Sequence, residues 1–157
     1  MIGQIVTLVG VLVGALTSYL AATTAERTRH RRTMATRWDE RKLDTYIEYA
    51  SCVKEIHAAA KRALQAEQGT DTHREFLTAM EEAERKRSVL FETLILLAAP
   101  AAIEAANAVN RVLWKIEIAT RDHDTTPVEG DLMALLTAYH AQARLDLGIP
   151  HTEAWPF

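Results

Sequence analysis

The stretch ETLILLAAPAAIEAANAV, residues 92–109, decides the fold of this chain. It consists mostly of strong helix formers on both sides of one proline, and no glycine interrupts it. Apolar residues recur three and four positions apart on each side, which is typical of helices that bury one face. Pro100 either opens a new helix at its first turn or kinks one longer helix.

The same pattern extends outward to predict four helical segments. The first segment ends at about Glu67, because the sequence QGTD that follows breaks the helix. The second begins with Thr72-His73-Arg74-Glu75, which has capping-box spacing. The third follows Pro100, and a polar loop then covers residues 121–130. The fourth starts near Asp131, and Gly148 ends it as a C′ glycine.

Apolar stripes predict which residues face the core. Arg87 interrupts the apolar stripe of the second helical segment. We expect the aliphatic stem of Arg87 to lie along the apolar edge and its charged head to lie outside. The predicted inner positions are Leu43, Tyr46, Ala50, Val53, His57, Ala60 and Leu64; Phe76, Met80, Ala83, Leu90, Leu94 and Leu97; Ala102, Ile103, Ala106, Val109, Leu113 and Ile116; and Leu132, Leu135, Leu136, Tyr139 and Ala143.

An uncharged run precedes these helices, from Ile2 to Ala22. As a helix its 21 residues span roughly 31 Å, close to the thickness of a bilayer core. We therefore predict a membrane anchor over residues 1–22. A cleaved signal peptide and a buried helix of a soluble domain are the alternatives, although no Lys or Arg precedes the run as a signal peptide requires.

Small residues inside this run recur every four positions, at Gly10, Gly14, Ser18 and Ala22. They therefore share one helix face, and such a face allows two backbones to approach closely. We predict helix–helix association through these residues. The alternative is that they reflect only the high glycine content of membrane helices.

A basic segment follows the run. Seven Lys or Arg residues lie between Arg27 and Lys42, whereas the chain from Leu43 onward holds eleven basic and eighteen acidic residues. By the positive-inside rule this places the amino terminus outside and the body in the cytoplasm, on the inner or plasma membrane. The predicted lipid-headgroup contacts are Arg27, Arg29, Arg31 and Arg32. The acidic body argues against a nucleic-acid partner.

The predicted fold class is therefore all-α, with an N-terminal transmembrane helix that continues through a basic stalk into an antiparallel four-helix bundle. The expected segments are the anchor at 1–22, the stalk at 23–42, the bundle at 43–148 and a C-terminal tail at 149–157. Short loops favour antiparallel neighbours, so the fourth helix should run back toward the stalk.

Three short motifs resemble small, uncharacterised, single-pass membrane-anchored proteins of actinobacteria. They are Trp38-x4-Leu43-x2-Tyr46, Leu96-Leu97-Ala98-Ala99-Pro100 and Arg144-Leu145-Asp146-Leu147-Gly148. The resemblance covers most of the chain and implies the same layout. That group has no assigned activity, so the resemblance implies no functional residues.

Residues that carry chemistry are sparse. Glu-x-x-His pairs, which build di-iron sites in helical bundles, do not occur, and the six histidines are scattered. Cys52 has no Arg or His one turn away that would lower its pKa, and we expect Asp122-His123-Asp124 to form a solvated turn. We therefore predict no catalytic, cofactor-binding or metal-binding residues and no cofactor.

Two classes of function remain. The first is a non-catalytic, membrane-tethered interaction or scaffold module that contacts lipids and either a copy of itself or another membrane protein. The second is a ligand-sensing or enzymatic bundle with a site in its core. Two or more convergent buried polar groups would favour the second, and the sequence offers His57, Thr93, Asn107 and Asn110 as candidates.

Overall fold

The computed structural model describes residues 38–149, which form four α-helices and no strand. α1 is helical over residues 38–65, α2 is Asp71–Leu97, α3 is Pro100–Arg121 and α4 is Leu132–Asp146. The prediction of an all-α four-helix bundle is confirmed for this part of the chain. The predicted anchor, the stalk up to residue 37 and the tail beyond residue 149 lie outside the described residues.

Packing divides the chain into two units, Met1–Glu40 and Arg41–Phe157, and the bundle from Arg41 onward belongs to the second. Within the described residues, no helix combines the length and the apolar character that a membrane crossing requires.

Local chemistry sets the helix ends. Pro100 is the first residue of α3 and follows the extended residues Ala98 and Ala99, so a new helix begins there rather than a kink. Asp131 caps α4, because its side chain accepts hydrogen bonds from two backbone N–H groups of the first turn. Gly148, with φ +68°, ends α4 as predicted.

The start of α2 differs from the prediction. Its N-cap is Thr70 rather than Thr72, and the Thr70 side chain accepts a hydrogen bond from the backbone N–H of His73. Since Thr70 lies two residues earlier, the capping box predicted at residues 72–75 does not form the helix start. Thr70 and Thr72 are both suitable N-cap residues, and the sequence favoured Thr72 because Glu75 follows it three residues later.

The core takes side chains from all four helices. Three of its tyrosines pack together: Tyr139 lies 5.0 Å from Tyr49 and 5.8 Å from Tyr46, measured between ring centroids. The largest fully buried side chains around them are Ile56, Met80, Leu94, Leu113, Val53 and Val109.

Most predicted inner positions are buried or half-buried, but the inner face of α1 is rotated from the predicted one. Leu43 is exposed and His57 is half-buried, whereas Tyr49, Cys52, Ile56 and Ala63 are fully buried. The apolar stripe of α1 is broad, so its centre could not be read from spacing alone.

The start of α1 lies beside the end of α4. Lys42 Nζ is 3.3 Å from Asp146 Oδ1, and the Tyr46 hydroxyl donates to Asp146 Oδ2 at 2.5 Å. α4 therefore runs antiparallel to α1 and returns to the end of the bundle where α1 begins, as the short loops predicted.

Candidate functional site

A cluster of polar side chains joins α2 to α3 inside the bundle. Arg87 Nε donates to Glu84 Oε2 at 2.6 Å, and its Nη2 pairs with the other oxygen of the same carboxylate. Arg87 Nη1 donates to Asn110 Oδ1 at 2.5 Å. The guanidinium is largely buried, so the prediction that the head of Arg87 lies outside is wrong. A charged head can turn inward here because a carboxylate and an amide oxygen bind it.

α1 contributes to this cluster through Tyr49. Its hydroxyl lies 2.6 Å from Asn110 Oδ1 and 3.1 Å from the carbonyl oxygen of Ala106. Burial raises the pKa of Tyr49 above its ordinary value, although the nearby Arg87 opposes the rise. The tyrosine therefore stays a neutral hydrogen-bond donor.

Glu117 completes the cluster from α3. Its side chain is only 4% exposed, it lies against the Glu84 carboxylate, and Arg121 Nη2 is 3.3 Å from its Oε2. Burial and the neighbouring carboxylate raise its pKa from 4.5 to about 7, while Arg121 and Arg87 oppose the rise. Glu117 can therefore take up or release a proton near neutral pH.

The spacing of Glu117 in the sequence is that of a buried position, although its side chain is polar. Glu117 lies four residues after the core position Leu113, so it continues the buried face of α3, where Val112 and Thr120 are also buried. A scan for apolar residues passes over a glutamate, and only packing shows that this one faces inward. Of the four polar candidates from the sequence, Asn110 does enter the cluster, and Thr93 instead donates to the carbonyl of Val89.

A second polar contact fixes the end of the bundle where α4 ends. Asp146 accepts hydrogen bonds from Tyr46, from Lys42 and from the backbone N–H of Ala99, so one carboxylate connects α1, the α2–α3 connection and α4. Its pKa is lowered, because these donors outweigh the effect of burial. This carboxylate therefore holds three segments of the bundle together.

An apolar groove lies next to this contact, between α1 and α4. It has a volume of about 370 Å³, and its walls include Leu43, Ile47, Ala143, Leu147 and Ile149. Ile47 is 57% exposed, and Leu43 and Ile149 are also exposed. Large apolar side chains grouped at the surface mark an interaction site more often than isolated ones do.

The other residues singled out by sequence show little reactive character. Burial raises the pKa of the Cys52 thiol, and the cysteine is fully buried. His57 lines a cavity of about 540 Å³ between α1, the α3–α4 loop and α4. Asp124 accepts two hydrogen bonds from Thr126 in an exposed turn, as expected for a loop aspartate.

The residues predicted to associate or to bind lipid lie outside the described residues. They are Gly10, Gly14, Ser18 and Ala22 for helix association, and Arg27, Arg29, Arg31 and Arg32 for lipid headgroups. Within residues 38–149, no group of three or more His, Cys, Asp or Glu is placed to hold a metal ion.

The fold and its internal contacts define an antiparallel four-helix bundle with a polar cluster inside and an apolar groove at one end. Comparisons with protein-family models, with curated proteins and with solved structures found no match to this chain.

Proposed function

We propose that this protein is a membrane-tethered, self-associating helical interaction module without catalytic activity. The observation that carries the proposal is the group of exposed apolar side chains around the groove, Leu43 and Ile47 on α1 and Ile149 just after α4. Residues 1–22 would form the tether, residues 27–32 would contact anionic lipid, and the body would lie on the cytoplasmic side.

The bonding of the polar cluster supports a structural rather than a catalytic role for it. Arg87 binds Glu84 and Asn110, Asn110 also accepts from Tyr49, and Glu117 pairs with Arg121. A catalytic group needs a free face toward a substrate. The groove between α1 and α4, the cavity beside His57 and a third cavity between α1 and α2 are lined by residues other than Glu84, Arg87, Asn110 and Glu117.

A second copy of the chain is the occupant that we assign to the groove. The small residues of the predicted anchor favour parallel pairing of two copies, which brings equivalent residues of the two chains near one another. A two-fold interface uses the same surface on both subunits, and an apolar surface on the first turns of α1 suits that requirement. The groove and the anchor would each contribute to dimer formation.

The test is subunit counting of the full chain in membranes, by single-molecule photobleaching. Wild type should be mostly dimeric, and Ile47→Glu should shift it toward monomer, because the new carboxylate would be buried against a partner. The matched control is Val89→Glu on α2, an exposed apolar residue that lies outside the groove. It should leave the dimer fraction unchanged.

Two results would contradict the proposal. A wild-type chain that is monomeric in membranes would exclude self-association and leave another membrane protein as the partner. Equal dimer fractions for Ile47→Glu and wild type would exclude the groove, and Gly14→Ile would then show whether the anchor alone is responsible.

A second candidate function is a proton-sensing bundle, and the specific observation in its favour is Glu117 with its raised pKa beside Glu84. A sensor of this kind should change its oligomeric state between pH 5 and pH 8 in wild type but not in Glu117→Gln. Identical pH responses of the two proteins would exclude it.

A further inference from the structure

Two histidines from distant parts of the chain meet at the end of the bundle opposite Asp146. His73 lies in the first turn of α2, and His123 directly follows the C-cap of α3. Their ring centroids are 5.5 Å apart, with the ring planes at 70°. His73 is only 6% exposed.

Each of the two rings has a buried nitrogen without a hydrogen-bond partner. These atoms are His73 Nε2 and His123 Nδ1, and they are the buried side-chain polar atoms in residues 38–149 that remain unpaired. Because buried polar atoms in folded proteins are nearly always paired, two unpaired nitrogens on rings in contact call for partners that the described residues do not supply.

His123 is held in place by the way α3 ends. The α3 helix ends in a Schellman motif: the N–H of Asp124 binds the carbonyl of Ala119 at 2.8 Å, and the N–H of His123 binds that of Thr120 at 3.1 Å. His123 therefore holds the C′ position, with φ +52°, where α4 has Gly148. A left-handed backbone favours glycine, and the Schellman contacts hold His123 in this conformation.

We propose that His73 and His123 bind a divalent transition metal, Zn²⁺ in the first instance, through His73 Nε2 and His123 Nδ1. Both imidazole nitrogens serve as metal ligands in proteins, and imidazole suits Zn²⁺, Cu²⁺ and Ni²⁺. Since no group of three candidate ligands occurs within residues 38–149, water would fill the remaining positions.

The ring separation fits this proposal. With metal–nitrogen distances of about 2.0–2.1 Å, tetrahedral geometry and a nitrogen roughly 1.1 Å from its ring centre, the two centroids would lie about 5 Å apart. The observed centroid separation of 5.5 Å is close to this value. No short sequence motif predicts this pair, because the two residues are joined only by the packing of α2 against the end of α3.

The experiment is titration of the full chain, purified without a histidine tag, with ZnCl₂ by calorimetry. The whole chain holds six histidines, so the comparison that matters is between variants. Loss of even an outer-shell partner commonly costs a metal site about 10–100-fold in affinity, so His73→Gln and His123→Gly should each weaken Zn²⁺ binding by at least about tenfold.

Two controls keep the result specific. His57→Gln and His140→Gln each remove a histidine elsewhere in the bundle and should leave Zn²⁺ affinity unchanged. His123→Gly suits the left-handed backbone, so its helicity by circular dichroism should match wild type, which separates loss of a ligand from loss of fold.

A direct measurement is the NMR chemical shift of the imidazole C–H protons of His73 and His123. These signals should shift when ZnCl₂ is added and should not shift when MgCl₂ is added. The proposal is overturned if wild type shows no Zn²⁺ binding that depends on these histidines. It is also overturned if both variants bind as tightly as wild type.

Discussion

Replacing Glu117 by glutamine should stabilise the bundle at alkaline pH. Glutamine has nearly the same shape, carries no charge and can donate its amide N–H to Glu84. In wild type, by contrast, ionising Glu117 places a second carboxylate in a largely buried position beside Glu84. The cost of that ionisation is absent from the variant.

The magnitude follows from the pKa of Glu117. Its folded-state pKa of about 7 lies above its ordinary value of 4.5. Between these two values the folded state binds more protons than the unfolded state, so wild-type stability falls as pH rises through this window and is level above it. At about 1.4 kcal/mol per pH unit, the full loss is on the order of 3 kcal/mol.

The assay is chemical unfolding of the full chain, followed by far-ultraviolet circular dichroism at steps from pH 4 to pH 8.5. The free-energy difference between Glu117→Gln and wild type should grow from near zero below pH 4.5 to about 1–3 kcal/mol at pH 8. Glu104→Gln, at an exposed position of the same helix, should stay within about 0.5 kcal/mol of wild type. Parallel pH profiles for Glu117→Gln and wild type, or a less stable variant at pH 8, would refute the reasoning.

Three further predictions concern stability. Leu94→Ala should cost about 2–5 kcal/mol, because Leu94 is fully buried, whereas Leu96→Ala, at an exposed position two residues on, should cost less than about 0.5 kcal/mol; equal melting temperatures would contradict the assigned face. Gly130→Ala should destabilise by roughly 1–3 kcal/mol in denaturant melts, because φ is +120° and a Cβ would lie 2.8 Å from Val112 Cγ2; an unchanged midpoint would contradict this. Asp146→Asn should lose stability at neutral pH but approach wild type in acid, since the lowered pKa makes this stabilisation disappear as pH falls; a constant difference across pH 2–7 would be the opposing result.

Local signals predicted the helix ends well, because the chemistry of a helix end depends on a few adjacent residues. Pro100 at the start of α3 and Gly148 after α4 both act through their own backbone preferences. The error at Thr70 arose between two neighbouring threonines that both suit an N-cap.

Contacts between helices were beyond what spacing could predict. The inward turn of Arg87 depends on Glu84 one turn earlier and on Asn110 of the next helix, and no periodicity shows that the two helices place these groups together. His73 and His123 are similarly joined only by the fold. Periodicity shows which face of a helix is buried, but the partner of a buried polar group depends on helix rotation and register.

The most direct test of the proposed self-association is disulfide cross-linking at the centre of the proposed surface. Ile47→Cys and Val89→Cys introduce single exposed thiols on different faces, and the native Cys52 is buried and serves as the background in wild type. After mild oxidation of membranes that contain the full chain, Ile47→Cys should yield a covalent dimer on non-reducing gels, and Val89→Cys and wild type should remain monomeric. Equal cross-linking of Ile47→Cys and Val89→Cys, or none from Ile47→Cys, would contradict a dimer formed through the α1–α4 groove.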